Sequence, residues 1–337
     1  TPRSLLRLGA DRLVVVAPDL VLRRDAAGRI FVGGLDWGQG EKGDADAAAD
    51  WFFSLSSFAV QGGSVVWVDE KRGAPPLALR EVDIAIRNRF GQHDFFVAAT
   101  PPADWGQRLT VQANLQGAWP ARHAGAWRSW QGPIYADFPL VQAEHLAAYL
   151  DGQLQVQSGA GAVRSWADFD RGRIASLTLD VALARVALRL QPDLPPLDLQ
   201  DLQGRVLLLQ QDQSLSLALK NAVFTTADGQ TWPMGLAQLD VQGSPAQLQA
   251  GQAQAGQLRA EKLSLPVLAN LAQSLPMAEH LRQQLQRLSP QGEIAALGLS
   301  WQGDWQAPTQ YRAQGQLRGL ALAAQPAQSA EDAIEKE

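Results

Sequence analysis

Few side chains in this sequence have a type and spacing that could carry out a reaction. Its four histidines, His93, His123, His145 and His280, show none of the HxH, HxxxH or HExxH spacings that bring two imidazoles to one metal. His145 and His280 fall in helical stretches, where solvation or packing accounts for them. The carboxylate pairs Asp44/Asp46 and Asp168/Asp170 have the residue type needed for glycoside cleavage, but their turn-like surroundings read as surface loops. Ser54, Ser56, Ser57 and Ser64 lack the G-x-S-x-G elbow that exposes a nucleophile on a strand-to-helix turn. There is no cysteine, so disulfides, thiolate ligands and Cys nucleophiles are excluded. The expectation is a protein that is not an enzyme and that needs no metal or cofactor. Eleven tryptophans remain as specialised residues. Trp119, Trp127 and Trp130 with Tyr135 form the densest group. It suits either stacking on sugars or packing at a sheet rim, because indole joins an apolar body to a polar N–H.

What the chain has in abundance is alternation. Leu177, Leu179, Val181 and Leu183 share one parity, and Val186, Leu188 and Leu190 resume on the other. Successive side chains of a strand point to opposite faces, so such a run makes a ribbon with one apolar face. The parity change at Arg185 predicts a bulge or turn that returns the apolar residues to the same side. Similar alternation recurs at Leu13–Val16, Val65–Val68, Val82–Ile86, Leu215–Leu219, Leu239–Val241, Leu297–Trp301 and Leu317–Leu322. Helical spacing is confined to Val141–Leu150 and to Leu265–Leu288, the latter interrupted at Pro276 and therefore two short helices or one kinked one. Gly38–Asp50 reads as a loop, and Gly117–Pro139, rich in Trp and Gly, as irregular or edge structure.

Repetition is visible as well. Pro75-Pro76-Leu77-Ala78-Leu79 returns as Pro195-Pro196-Leu197-Asp198-Leu199, and a Gly-x-(Leu/Ile)-x-x-Leu-x-Leu unit starts at Gly172, Gly292 and Gly315, with a near-copy at Gly256. Repeated strand units favour an elongated body over a compact one. The fold expected is mainly β, an elongated, twisted antiparallel sheet forming an open apolar groove, with short helices around 141–150 and 265–288. It divides into a first groove module at 1–140, a second at 141–255 that begins with a short helix, a helical cap segment with final strands at 256–323, and a disordered tail at 324–337.

Composition narrows the partners. Of 337 residues, 46% are hydrophobic and only 19% charged, with a net charge of −5, against roughly 25% charged in ordinary soluble domains. Nothing here favours nucleic acid, and no run approaches a membrane span. The absence of an initial Met and the polar, acidic end suggest an interior piece of something longer.

The segment Gly63–Pro102, with Trp67, Asp69, the Pro-Pro-Leu turn, His93 and the closing Pro101-Pro102, resembles the YhdP family, AsmA-like proteins of the Gram-negative envelope. Arg171–Val206 and Val223–Pro233, with its TTADGQTWP, are similar to that family too, as is the helical segment followed by GEIAALGLSWQGD. The resemblance implies a bridge-like lipid transfer protein whose β-groove shields phospholipid acyl chains between inner and outer membrane. It implies a periplasmic location, with an N-terminal inner-membrane helix that this chain lacks. It supplies no catalytic residues. The residues expected to line the groove are Leu177, Leu179, Val181, Val186, Leu188, Leu190, Val206, Leu208, Leu215, Leu217 and Leu219. Two other readings of the same alternation are a periplasmic scaffold assisting outer-membrane assembly without carrying lipid, and a glycan-binding module built on the Trp cluster.

Overall fold

The computed structural model describes residues 11–36, 50–117, 125–149, 155–244, 247, 253–275, 277, 279–303 and 308–323. Asp44, Asp46, His123, Trp119 and the segment 324–337 lie outside the described residues. Among the described residues eighteen strands form one sheet. They are β1 (Arg12–Val16), β2 (Asp19–Arg24), β3 (Ile30–Val32), β4 (Leu35–Asp36), β5 (Ser57–Asp69), β6 (Leu77–Arg89), β7 (Gln92–Thr100), β8 (Leu109–Gln116) and β9 (Gln131–Gln142). The series continues with β10 (Gln155–Asp170), β11 (Arg173–Arg189), β12 (Leu197–Gln211), β13 (Ser214–Thr226), β14 (Thr231–Met234), β15 (Ala237–Gln242), β16 (Ala255–Ser264), β17 (Gln291–Gln302) and β18 (Gln310–Ala321).

From β5 onward the sheet is a long antiparallel meander, except that β14 and β15 lie end to end, both antiparallel to β13. At its start β1 and β2 lie end to end, both parallel to β5, and the break between them falls at Ala17-Pro18. At its end β18 pairs, among the described residues, with β17 alone. The two edges never meet, and the sheet is open. The module boundaries at 140/141 and 255/256 fall inside β9 and β16.

Parity changes within strands coincide with left-handed backbone. Gly62 in β5, Glu81 in β6, Arg185 in β11, Asn221 in β13, Ala296 in β17 and Gly319 in β18 have φ between 50° and 62°. Each separates apolar residues of one parity from those of the other. The bulge expected at Arg185 is present: Leu183 before it and Val186 and Leu188 after it pack into one cluster. An extra left-handed residue restores the face and increases the local twist.

One expectation needs correction. Gly117–Pro139 does not end as irregular structure, because Gln131–Gln142 is an interior strand between β8 and β10 despite Pro133 and Pro139. The missing N–H of each proline is accommodated locally. No pairing with β8 is made at Gly132-Pro133, and the β8 ladder stops at Asp137, before Pro139. Gly132 permits this approach, since a Cβ there would stand 2.1 Å from the Asn114 carbonyl oxygen.

The helices cover only parts of the sheet. Leu265–Leu271 and a 3-10 turn at Ala272–Ser274 precede Glu279–Leu288, so the Pro276 break does give two short helices. The first buries Leu265, Val267 and Leu271, and the second buries nothing. A third helix, Ala143–Ala147, follows β9.

Candidate functional site

Residues paired across neighbouring strands share a face, so the register shows which side chains stand in line. One such line starts at Leu13 in β1 and passes through Phe58, Ile86, Phe95, Ala113, Ile134 and Ala167 to Leu177 in β11. It continues through Leu208, Leu217, Leu239, Leu258 and Leu299 to Ala313 in β18. Every member is apolar. Two residues along, a parallel line joins Val15, Val60, Ile84, Val97, Val111, Ala136, Ser165, Leu179, Val206, Leu219, Ala237, Ala260 and Leu297. Ser165 is its one polar member. The sheet thus carries an unbroken apolar face across its width.

The opposite face is marked by charge. Asp137, Arg164, Asp180, Arg205 and Lys220 stand in register on successive strands β9 to β13. The Arg205 guanidinium donates to Asp180 at 2.7 Å through Nη2, and Arg164 lies 3.4 Å from Asp137. Hydrogen bonding from Arg205 holds the Asp180 carboxyl below the usual carboxylate range, with the Arg164 charge adding to it. Exposed pairs of this kind add little to stability. They do commit this face to water, and so direct the apolar ladder to the other side. A cleft of about 610 Å³ near the start of β13 is lined chiefly from this polar side, by Ser216, Gln238, Asp240, Gln257 and Ser300.

Among the described residues several parts of the apolar face are closed over, one of them where Val65, Val82 and Ala99 are buried with Ile84 packed against them. Under helix Leu265–Leu271, Val186, Leu199, Phe224, Trp232, Val267 and Leu271 form a buried cluster, with Leu183, Leu188, Leu197 and Leu202 packed against it. Near the start of the meander, Phe52, Phe53, Phe58, Phe95 and Trp130 make a chain of edge-on ring contacts, with Phe53 to Trp130 centroids 4.8 Å apart. His93, 5% exposed, stacks on Trp130 at 3.8 Å. Its Nδ1–H donates to the Asn88 side-chain oxygen at 2.8 Å, and the Asn88 amide donates in turn to the Leu55 carbonyl. Burial pushes the His93 pKa down to about 4, so the ring is neutral. Between these closed regions the ladder is not buried. Leu177, Leu208, Leu217, Leu239, Leu258 and Leu299 are all partly exposed.

The eleven residues singled out from the sequence divide accordingly. Leu177, Leu179, Val181, Val206, Leu208, Leu215, Leu217 and Leu219 share the partly exposed apolar face. Val186, 1% exposed, and Leu188 belong to the helix-covered cluster, and Leu190 lies just past the end of β11. Leu13, Phe58, Ile86, Phe95, Ile134, Leu239, Leu258 and Leu299 also stand on the line but were not among the groove residues named from the sequence, although Leu13, Ile86, Leu239 and Leu299 fall in runs whose alternation was noted; their shared face is set by register between strands. The described members of the aromatic group do not assemble as one platform. Trp130 is buried, Trp127 is exposed under Arg128, and Tyr135 meets Trp166 on the polar side. Among the described residues no three His, Asp or Glu side chains converge as a metal site would require, and no helix is long and apolar enough to cross a membrane.

The family described as YhdP protein matches residues 4–332. The chain belongs to the YhdP family. No curated protein and no solved structure matches it. For a YhdP-family chain, membership is consistent with an envelope role, and the apolar ladder is the feature that such a role has to explain.

Proposed function

We propose that this YhdP-family chain shields phospholipid acyl chains as they pass through the periplasm between inner and outer membrane, acting as a binding surface and not as an enzyme. The observation that carries the reading is the apolar line from Leu13 to Ala313, continuous across the sheet and partly exposed over β11 to β17. Each methylene exposed to water costs roughly 0.8 kcal/mol, so a tail of about a dozen faces a barrier on the order of 10 kcal/mol if it crosses unaided. A surface that replaces water along the whole path removes most of that barrier without a chemical step. An open sheet meets the geometric need, because tails can lie along it while head groups stay in water. The partners are then the acyl chains themselves and the two membranes.

The test is native mass spectrometry with lipid extraction, on protein purified from bacterial cells. Phospholipid should accompany the native chain and be lost from a Leu179→Asp, Leu217→Asp double variant that keeps its far-UV circular dichroism. An unliganded mass for the native chain, with no uptake from labelled liposomes, would instead support a scaffold that holds no lipid.

A further inference from the structure

The sheet parts at an internal seam. Among the described residues β14 pairs with β13 alone, while β16 leaves β15 after Ala260 and from Lys262 to Ser264 pairs only with β17. Between Thr231-Trp232 on one side and Lys262–Ser264 on the other lies a cleft of about 460 Å³, which Glu293 and Arg318 also line. Gly292 and Gly319 keep its floor free of side chains.

Its chemistry is unlike the rest of the sheet. Lys262 Nζ lies 2.7 Å from the Glu293 carboxylate and Arg318 Nη1 lies 3.7 Å from it, so two cations share one anion and a positive charge is left over. The hydrogen bond from Lys262 holds the Glu293 carboxyl below its usual range, which keeps it ionised. Thr231 and Ser264 bring hydroxyls. Trp232 is 5% exposed and its Nε1–H has no hydrogen-bond partner among the described residues. A buried donor without an acceptor is costly and calls for an explanation. The same indole packs on Phe224 in the apolar cluster, with ring centroids 5.2 Å apart. One ring is therefore the wall between a cationic slot and an apolar interior, an arrangement that matches an amphiphile with an anionic head.

We propose that this parted seam binds the phosphate of a phospholipid head group, with Lys262 and Arg318 as charged contacts, Thr231 and Ser264 as hydroxyl donors, and the orphaned Trp232 N–H at the apolar wall. The inference rests on the lipid-shielding reading and gives it a place where head groups are held. Phosphate favours such a site because cationic donors form short, strong hydrogen bonds to its oxygens.

The test follows the Trp232 indole ¹⁵N–H resonance, assigned with Trp232→Phe, in the full chain. Dihexanoylphosphatidylglycerol, kept below micelle formation, should shift it in a saturable way. Lys262→Gln with Arg318→Gln should weaken that binding about tenfold, and Glu293→Gln should tighten it. Inorganic phosphate should bind more weakly, and octyl glucoside should leave the resonance in place. Unchanged affinity in the double variant, no shift with the lipid, or an equal shift with octyl glucoside would each overturn the site. Inorganic phosphate binding as tightly as the lipid would show a free-phosphate site and overturn the head-group assignment. Separately, saturable lipid binding at Trp232 in a chain that fails to co-purify acyl chains would sink the shielding reading while leaving the anion contacts standing.

Discussion

His93 shows how a single residue can look functional in sequence and be structural in place. Its imidazole is stacked on Trp130, hydrogen-bonded to Asn88 and nearly removed from solvent. Because its folded pKa of about 4 lies below the ordinary 6.5, the unfolded chain binds the proton first. The stability gained from the neutral ring is complete above about pH 6.5 and declines as pH falls towards about 4. Urea denaturation at pH 7 and pH 4.5 should show a loss on the order of 2–3 kcal/mol from this group. His93→Gln, less stable at pH 7, should lose less over the same window. An equal loss in both proteins would mean that the ring titrates alike folded and unfolded, and that burial does not depress it.

At the scale of the element, strands were the legible part of this sequence. Period-two alternation is a local property, so β11, β13 and β17 could be read directly, as could the bulge at Arg185, where the parity flips. The helices around Pro276 were equally local. Which strand residues would be covered was not legible, because the cover comes from elsewhere in the chain. Leu188 and Leu217 both sit in runs with alternating leucines, yet only Leu188 packs against the cluster beneath helix Leu265–Leu271. The interior position of β9 was hidden by its prolines, which a central strand admits only where its neighbour's pairing lapses. The division has a measurable consequence. Leu271→Ala, in the closed cluster, should cost about 2–5 kcal/mol in chemical denaturation. Leu217→Ala, on the open stretch, should cost less than about 1.5 kcal/mol, because most of what it loses is already in contact with water. Equal costs would show that the open stretch is packed like a core.

Across the whole molecule the open edge matters most. Strand β18 is exposed along its length, with Tyr311 at 75% and Leu317 at 57%, and it continues the apolar face. A long edge with few charges, here broken in parity only at Gly319, is a template for further pairing, which soluble proteins usually blunt with Lys or Pro. Sedimentation velocity at rising concentration should therefore show self-association that Leu317→Lys with Leu320→Lys reduces. A native chain that stays monomeric at high concentration would argue that this edge is protected.

By itself the sequence determined a one-sided β protein, with its bulge at Arg185, its two short helices, and motifs that resemble the YhdP family. These depend on period, turn chemistry and residue type, all carried by neighbours in the chain. Only the tertiary structure decided that apolar residues of β1, β5 to β13 and β15 to β18 fall into one continuous line, that helix Leu265–Leu271 closes part of the same face, and that the sheet parts beside Trp232. Those outcomes depend on register between strands and on contacts across long sequence separations, and a one-residue slip in any ladder would have sent the same leucines to the wet face.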